Sequence, residues 1–400
     1  MPKKQIKGFK YECFPTEAQK VLYGRTFGCA RLVFNILLDK SIKDYAAYKA
    51  NPLKAPKPTI NYMAWCAYLT QLKQQPEYAY LNEVPAVALQ QSLKRLADAF
   101  KAFFGNGRKV KSGFPKFRSK YFRQSFTLVG PAFRIRDGKV YMAKSPEPLN
   151  ILFHRELPSE PTSVTISLEP TGRYFISFTC EYQPKPSTGK GIVGLDLGLK
   201  DIVTMSNGVT IPNPKHYIQA ALRLGRLQRQ LSRKKPGSKN RTKARLKVAK
   251  LHAHIANQRK DYLHKVTSML ISENQAIVIE NLMVAHMAHN RHLSKAIMTA
   301  CWGMFRQMLT YKAIHSGHTA LIIADQWYPS SQLCNRCGTK PSTKLKLATR
   351  VWTCPTCHTT HQRDANASQN LANIALNHPQ LWKHNPGEIT FAPSYKALQA

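Results

Sequence analysis

The sequence predicts a mixed α/β protein in which a helix-rich N-terminal part precedes short β-strands and then an α/β core. Three observations indicate this class. Apolar residues recur at three- and four-residue steps from Thr16 to Phe104, as they do along amphipathic helices. Short alternating segments separated by turn residues follow. Beyond Gly191, strand patterns and helical patterns alternate, which is typical of an α/β domain.

A strand and a series of helices are expected in the N-terminal part. Residues 3–13 alternate enough to form a strand, and Thr16 is placed to be the N-cap of the first helix. A proline-rich interruption at 51–58 separates the first helices from the next ones. Residues 82–104 then have the pattern of one long amphipathic helix.

Turn residues mark the β-strands that follow. Asp137-Gly138 lies between alternating runs and predicts a hairpin. The runs 163–168 and 174–180 flank a turn at 170–172 and predict a second hairpin. Residues 184–190 have the composition of a linker. The α/β core is therefore expected to begin after them.

The core is expected to begin with three short strands and to continue with alternating strands and helices. The three strands are 191–197, 201–206 and 209–211. The later segments are a long basic helical stretch, a strand ending at Glu280, a helix over 294–316 and a strand over 320–324. This order is the one expected of an RNase H-like α/β core.

Three acidic residues lie where such a core would bring them together. Asp196 interrupts a glycine-flanked apolar strand, Glu280 closes another apolar strand, and Asp364 opens a helical run. A single buried carboxylate is more often a structural hydrogen-bond acceptor than a ligand. An uncompensated charge in such a strand is costly, however, and favours a nearby cation. Three carboxylates at one point could hold two Mg²⁺ ions for the cleavage of a phosphodiester.

Glycines surround the first of these carboxylates. Gly189, Gly191 and Gly194 match the spelling of a dinucleotide-binding motif, but that motif opens a helix, whereas these glycines lead into a strand. Gly194 and Gly198 are expected instead to leave room for a phosphate backbone to approach Asp196.

The charge balance indicates a polyanionic partner. The 400 residues contain 60 Lys and Arg against 21 Asp and Glu, a formal charge of +39. An excess of this size favours nucleic acid, because bound cationic side chains release counterions from phosphates. Ribosomal and histone-like proteins share such a charge, but not a hydrophobic content of 43% with 17 Phe and 17 Tyr.

The cytoplasm is the expected compartment, and no membrane partner is expected. The apolar runs fall short of the roughly 20 residues of a membrane span. The N-terminus lacks the apolar core of a secretory signal. Nine cysteines, four of them in two CxxC pairs, indicate reducing conditions with one metal site.

Cys334, Cys337, Cys354 and Cys357 form the two CxxC pairs. Each pair presents two thiolates to one face, and two such knuckles complete a tetrahedral Zn²⁺ site with the spacing of a zinc ribbon. A redox pair, or a histidine (His358 or His361) in place of one cysteine, is the alternative. Four protein ligands leave no open coordination position, so the zinc is expected to be structural.

Two basic tracts are candidates for nucleic-acid contact. The first, from Ile202 to Lys260, lacks acidic residues, and its apolar residues on either side of a Pro236-Gly237 break indicate a helical hairpin. The second, 103–123, interleaves aromatics with cations, which suits base stacking and backbone binding together. The alternative for the first tract is a merely solvated face, and for the second it is core aromatics beside solvated lysines. The candidate residues are Arg108, Lys109, Lys111, Lys116, Arg118, Lys120, Arg123, Arg233, Lys234, Lys235, Arg241, Lys243, Arg245 and Lys247.

Several segments have the character of family motifs: 194–201, 279–282, 327–338, 352–357 and 363–367, with weaker ones at 26–35 and 114–117. Together they resemble the motifs of the TnpB family, transposon-encoded RNA-guided nucleases related to type V CRISPR effectors. Gln362 departs from the family pattern, which often has an acidic residue before Arg-Asp. This departure bears on the capping of the helix that Asp364 opens.

The resemblance implies a split RuvC nuclease domain of RNase H-like α/β fold with an inserted zinc ribbon. It also implies an N-terminal β-barrel wedge domain that carries an inserted helical recognition domain. The expected boundaries are 1–13 and 125–186 for the wedge, 14–124 for the recognition domain, 187–327 and 362–378 for the RuvC domain, 328–361 for the ribbon and 379–400 for a flexible tail.

The resemblance further implies an RNA-guided endonuclease with Asp196, Glu280 and Asp364 as its catalytic triad. Its expected cofactors are two Mg²⁺ and one structural Zn²⁺, and its partners a guide RNA from the transposon end and double-stranded target DNA. A monomer with its RNA is expected to cut next to a short flanking motif. Two rivals stay open: an RNA-guided repressor that binds without cutting, and a transposase or resolvase that works without RNA.

Overall fold

The computed structural model describes residues 5–53, 59–105, 112–121, 123–184, 188–343, 345–346, 348–383 and 386–399. The chain divides into two compact units. The N-terminal unit ends at Tyr182 and the C-terminal unit begins at Gln183. Arg108, Lys109 and Lys111, which the sequence nominates for nucleic-acid contact, lie outside the described residues.

The N-terminal unit begins with strand β1 (Gln5–Phe14) and helix α1 (Glu17–Ala50). Thr16 is the N-cap of α1, as predicted, and it forms a capping box with Gln19. Helix α2 (Tyr62–Leu72), a 3-10 helix (Pro76–Asn82) and helix α3 (Ala86–Phe104) follow. The predicted helix over 82–104 therefore begins four residues late, because Pro85 occupies its N-cap position.

Helix α1 bears on the sequence prediction that no segment crosses a membrane. It is long and apolar enough to cross a membrane by length and composition alone. Half of its most apolar 18-residue window is buried inside the protein. There Val33, Leu37 and Leu38 belong to one hydrophobic cluster with Leu89 and Leu93 of α3. A core helix of a globular unit requires the same apolar face.

The strands of the N-terminal unit pair in antiparallel fashion. They are β2 (Gln124–Val129), β3 (Phe133–Arg136), β4 (Lys139–Met142), β5 (Asn150–Leu152), β6 (Pro161–Leu168) and β7 (Tyr174–Tyr182). Four of them form a five-stranded sheet with β1, in the order β2-β6-β7-β1-β5, and β3 with β4 forms a separate hairpin. Asp137 and Gly138 both have positive φ there, as the predicted turn requires. The pairings of the described strands do not join β2 to β5, so a closed barrel stays a prediction.

The C-terminal unit is built on a six-stranded mixed sheet. Its strands are β8 (Gly191–Asp196), β9 (Asp201–Met205), β10 (Thr210–Pro212), β11 (Asn274–Ile279), β12 (Ala320–Ile323) and, after the ribbon hairpin β13 (Val351–Thr353) and β14 (Thr360–Gln362), β15 (Ile389–Phe391). Their order is β10-β9-β8-β11-β12-β15. Strands β8, β11, β12 and β15 are parallel, and β9 and β10 are antiparallel to their neighbours. The predicted succession of strands along the chain, from 191–197 to 320–324, is confirmed.

The loose C-terminal tail expected from the sequence is wrong for residues 389–391. Strand β15 pairs with β12, with Ile389 opposite Leu321. Leu381 and Trp382 also pack against the buried face of the sheet. A strand of three residues is too short for an alternating pattern, so only the tertiary pairing shows it.

Seven α-helices are described in the C-terminal unit. They are α4 (His216–Ser232), α5 (Lys239–Glu273), α6 (Val284–Met287), α7 (Ser294–Ala300), α8 (Trp302–Ser316), α9 (Arg363–Asn377) and α10 (Tyr395–Gln399). Helices α4 and α5 form the predicted hairpin, with Leu224, Leu251 and Ile255 in one buried cluster. The predicted helix over 294–316 is broken at Cys301, whose φ of 57° lies in the left-handed region.

Helix α9 lies directly against strand β8 at Gly194. A Cβ atom at that position would lie 2.0 Å from the carbonyl oxygen of Ser368 and 2.4 Å from the amide nitrogen of Ala372. The backbone of α9 therefore occupies the space that the sequence predicted for a phosphate backbone. At Gly198 a Cβ would lie 2.6 Å from the carbonyl oxygen of Asp201. The prediction of open space is wrong for both glycines.

Replacing Gly194 with Ala should therefore destabilise the C-terminal unit. The added methyl group must push α9 away from β8, and overpacking of this kind costs about 1–3 kcal/mol. Gly303→Ala, in α8, is the matched control, because nothing lies within 4 Å of a Cβ there. Thermal unfolding should show a lower midpoint for Gly194→Ala and no loss for the control. Equal midpoints for the two variants would contradict the close packing.

Candidate active site

The three predicted carboxylates meet at one edge of the six-stranded sheet. Asp196 is the last residue of β8, and Glu280 follows directly after β11. These strands are adjacent and parallel, with Ile279 opposite Leu195, so both carboxylates leave the sheet at the same edge. Asp364 is the second residue of α9, and the packing of α9 on β8 brings it to this edge as well.

The electrostatics of Asp196 show how close the three charges are. Burial raises the pKa of Asp196 well above its ordinary value, and the charges of Glu280 and Asp364 raise it further. Arg363 and Arg350 act in the opposite direction without cancelling this effect. A cation placed beside Asp196 would favour its ionised form.

Glu280 is held by a hydrogen bond. Burial raises its pKa, while the bond from Ser330 and the charge of Arg363 oppose that effect. The Ser330 hydroxyl donates to Oε1 of Glu280 at 2.7 Å. This bond fixes the orientation of the carboxylate at the end of β11.

Asp364 lies on the more open side of the cluster. Its side chain is 34% exposed, and Nη1 of Arg350 lies 3.3 Å from both of its carboxylate oxygens. Arg350 is itself 67% exposed, so the pair is weak and the arginine can move away at little cost. At the start of α9 the Gln362 side chain accepts a hydrogen bond from the Ala365 amide. The departure from the family pattern at this position therefore keeps the helix cap.

The four predicted zinc ligands form a compact group. The sulfur of Cys334 lies 3.5 Å from that of Cys357, and the sulfur of Cys337 lies 3.6 Å from that of Cys354. All four sulfurs lie within 4.8 Å of one another. Among the described His, Cys, Asp and Glu residues, no other set of three or more ligand atoms is as compact.

Each CxxC segment turns back on itself through a backbone hydrogen bond. The amide of Gly338 donates to the carbonyl of Cys334 at 2.8 Å, and the amide of His358 donates to that of Cys354 at 3.0 Å. Gly338 and His358 both have positive φ, 70° and 54°. Nε2 of His361 lies 3.0 Å from the Cys334 sulfur, beside the group of four. Neither histidine is needed to complete four ligands.

The ribbon is bonded to the helix that carries Asp364. The Asn366 side chain donates to the carbonyl of Leu333 at 2.6 Å and accepts from the Asn335 amide at 3.0 Å. The Asn370 side chain donates to the carbonyls of Ser330 and Leu333 at 2.8 Å. The position of α9 therefore depends on the loop that contains the first cysteine pair.

Sequence reasoning missed three residues that contact or polarise the carboxylates: Ser330, Arg350 and Arg363. Arg363 is buried, and its Nη1 donates to the carbonyl of Lys346 at 2.8 Å. Ser330 and Arg363 lie within motifs that the sequence singles out for other reasons, so the sequence marks their segments without giving their roles. Arg350 lies in no such motif, and only the pairing of β13 with β14 brings it to Asp364.

The α4–α5 hairpin presents most of its candidate nucleic-acid residues to solvent. The exposed members are Arg233, Lys234, Lys235, Lys243, Arg245 and Lys247. Arg241 differs, because its Nη1 donates to the carbonyls of Leu231 and Lys234 at 3.2 and 2.8 Å. This arginine stabilises the turn between the helices, so we expect a structural role for it rather than the nominated phosphate contact.

The described part of the second tract is more varied. Lys116, Lys120 and Arg123 are exposed. Arg118 is half-buried, and its guanidinium lies 3.5 Å above the centre of the Phe34 ring. Its backbone also exchanges two hydrogen bonds with the Asn35 side chain. Arg118 is therefore anchored to α1.

Three family models match the chain. Residues 175–291 match one described as a probable transposase, residues 302–371 a Cas12f1-like TNB domain, and residues 1–50 a helix-turn-helix domain. The described residues up to 50 form β1 and the single helix α1. The match to 302–371 spans the four cysteines and Asp364.

A relative from Streptomyces pristinaespiralis decides the family. It is named as a candidate RNA-guided DNA endonuclease and is 42% identical over 378 residues, which cover 93% of this chain and 90% of the relative. The chain belongs to the TnpB family. InsQ of Escherichia coli (strain K12), also named as a candidate RNA-guided DNA endonuclease, is 28% identical over 396 residues, 94% of each protein.

A solved structure supports the fold of this TnpB-family chain. The Cas12f1 protein in a cryo-EM complex with sgRNA and target DNA matches with a TM-score of 0.54. The match covers 92% of this chain and 99% of that chain, at 12% identity. At this level of identity the two proteins share their fold, and nothing about residue roles follows.

Proposed function

We propose that the chain is an RNA-guided DNA endonuclease of a transposable element, with a RuvC-type domain that hydrolyses target DNA next to a short flanking motif. The observation that carries the proposal is the convergence of Asp196, Glu280 and Asp364 at one edge of the sheet. The names of the two relatives support the same activity. RNA-guided enzymes take sequence specificity from base pairing and contribute shape recognition and chemistry themselves.

The carboxylate cluster fits Mg²⁺. Carboxylate oxygens are the ligands that Mg²⁺ prefers, and the raised pKa values of Asp196 and Glu280 mark negative charge that a divalent cation would stabilise. When bound, two such ions activate the attacking water and stabilise the leaving oxygen of a phosphodiester. Ser330 holds the Glu280 carboxylate in place, and α9 holds Asp364 against β8.

The chain is divided into domains with different proposed roles. We assign residues 187–327 and 362–378 to the RuvC domain and 328–361 to the ribbon. Residues 14–124 are assigned to guide and target recognition, and the sheet of the N-terminal unit to the wedge. The protein would act in the cytoplasm as a monomer with its guide RNA, and on the nucleoid when bound to DNA.

Asp196→Asn tests the proposed chemistry. Mg²⁺-dependent cleavage should fall about a thousandfold, because a metal ligand contributes several kcal/mol to the transition state. Affinity for RNA and DNA should stay, since the phosphate contacts come from the basic residues. Asp261→Asn, at an exposed carboxylate on α5, is the matched control. Wild-type cleavage by Asp196→Asn would overturn the assignment.

Two observations on the wild-type protein distinguish the proposal from its rivals. RNA that copurifies with the protein argues against an RNA-independent transposase, and cleavage of DNA argues against a repressor.

The thermal stability of Asp196→Asn without divalent ions shows whether Asp196 is a metal ligand or a structural hydrogen-bond acceptor. Because the pKa of Asp196 is raised in the folded protein, ionisation costs stability as the pH rises from about 4 through the folded value. Asn carries no charge, so Asp196→Asn should melt higher than wild type at neutral pH, with the difference closing towards pH 4. It should also lose most of the Mg²⁺-induced rise in Tm. A lower Tm at neutral pH would indicate a structural hydrogen-bond acceptor.

We further propose that the four cysteines bind one structural Zn²⁺. Metal analysis should find about one zinc per chain, and Cys354→Ser should lower both the zinc content and the cleavage rate. Cleavage should fall because the loop of the first cysteine pair is bonded to α9 through Asn366 and Asn370. Cys301→Ser, outside the ribbon, is the control and should keep both. A fully active protein without zinc would refute this role.

The α4–α5 hairpin is proposed as a phosphate-binding surface. Replacing Lys243, Arg245 and Lys247 with Gln removes three exposed charges. The slope of log affinity against log salt should become shallower by about 2–3, since each phosphate contact contributes roughly 0.7–0.9. Arg241→Gln, the control, should lower thermal stability with little effect on the slope. An unchanged slope in the triple variant would show that the hairpin is merely solvated.

A further inference from the structure

Four arginines line one cleft of the N-terminal unit. Arg31 comes from α1, Arg95 from α3, and Arg118 and Arg123 from the segment that leads into β2. Gln124 and Ser125 lie beside them in the same cleft. These residues, here called the arginine cleft, come from three segments that are distant in sequence. The packing of α1 and α3 on β2 therefore brings four guanidinium groups to one place.

The charges in the arginine cleft oppose one another. Burial lowers the pKa of Arg95, and the charge of Arg123 lowers it further. Burial and the charge of Arg95 lower the pKa of Arg118 to about 10. Such shifts mean that the fold holds like charges close together at a cost in stability.

Arg95 is bonded to neutral groups. It donates to the Ser125 hydroxyl at 3.5 Å and to the Thr127 hydroxyl. In the part of the chain that the structure describes, no carboxylate forms an ion pair with Arg31, Arg95 or Arg123. The sequence itself has no acidic residue from Ala99 to Arg136. Anionic compensation from within this stretch is therefore impossible.

We propose that the arginine cleft binds a phosphate group of a nucleic-acid backbone. Planar guanidinium groups donate paired hydrogen bonds to phosphate oxygens, which is why arginine predominates at such sites. A phosphate would offset the repulsion among the four side chains. It would also link α1, α3 and the start of β2 through one ligand. Lys116 and Lys120, which are exposed in the same segment of the chain as Arg118 and Arg123, would offer a bound strand further cations.

The arginine cleft differs from the basic face of the α4–α5 hairpin. The hairpin offers exposed side chains along helices, which suits contacts that slide along a backbone. In the cleft, Arg95 is fixed by Ser125 and Thr127, and Arg118 by the Phe34 ring. Fixed donors select one position of the ligand. The cleft is therefore an anchor that sets the register of a strand.

The physiological ligand rests on the proposed function, but the site can be tested without cleavage. The variants are Arg95→Gln and, because Arg95 is half-buried, the exposed Arg123→Gln. Arg134→Gln is the matched control, since Arg134 is exposed on β3 in the same unit. The first measurement is the Tm of the RNA-free full chain in inorganic phosphate and in chloride at equal ionic strength. Phosphate should raise the Tm of wild type and control more than that of either cleft variant.

The second measurement identifies the source of the phosphate. Affinities for a short single-stranded RNA and for a DNA duplex of matched length are compared among the same proteins. At least one ligand should bind both cleft variants about tenfold more weakly than the control, as expected for a lost charged hydrogen bond. A loss with RNA alone assigns the anchor to the guide, and a loss with the duplex alone assigns it to the target. Equal phosphate shifts and equal affinities in all variants would overturn the proposal, whether or not the protein cleaves DNA.

Discussion

Helix α9 reaches strand β8 only because residue 194 has no side chain. The carbonyl oxygen of Ser368 lies 2.0 Å from the position that a Cβ would take, so even alanine must displace the helix. Asp196 lies two residues further along β8, and Asp364 lies one turn before Ser368. One backbone contact thus sets the separation of two carboxylates that are 168 residues apart in sequence. The third, Glu280, follows from the parallel pairing of β8 with β11.

This arrangement is unfavourable for the isolated fold. Burial and mutual repulsion raise the pKa of Asp196, so the ionised cluster lowers stability in the absence of a cation. The ribbon loop opposes the repulsion, because Asn366 and Asn370 bond α9 to the residues before the first cysteine pair. A metal held by the cysteines would stiffen that loop. The two candidate metal sites are in this sense mechanically linked, although they share no ligand.

Local patterns predicted the elements well where one face of an element is buried. The capping box at Thr16, the turn at Asp137-Gly138 and the α4–α5 hairpin all follow from short-range chemistry. The predictions failed where an element depends on tertiary contacts. Strand β15 exists only because β12 offers an edge to Ile389.

The candidate site shows the same division between local pattern and tertiary contact. Each carboxylate could be nominated from its own strand or helix, and the cysteines from their spacing. The contact of Gly194 with α9 could not be predicted, because the sequence shows that a side chain is missing but not which backbone segment fills the space. The same holds for Arg241. Its charge suggested a phosphate contact, whereas its hydrogen bonds to the carbonyls of Leu231 and Lys234 stabilise the turn between α4 and α5. Arg350 reaches Asp364 through the pairing of β13 with β14, which no short motif encodes.

The carboxylate cluster and the arginine cleft are two forms of one physical problem. Each gathers like charges at partly buried positions. The crowding raises the pKa of Asp196 and lowers that of Arg95, so in both clusters it favours the neutral form of the side chain. The formal charge of +39 does not relieve the carboxylates, because exposed charges are screened beyond about 10 Å. Among the described cations, Arg363 and Arg350 are the ones that act on Asp196. Both clusters therefore favour ligands of opposite sign: divalent cations for the carboxylates, phosphate for the arginines. A nucleic acid bound with Mg²⁺ supplies both, so its binding would remove the two sources of repulsion that the folded chain tolerates without it.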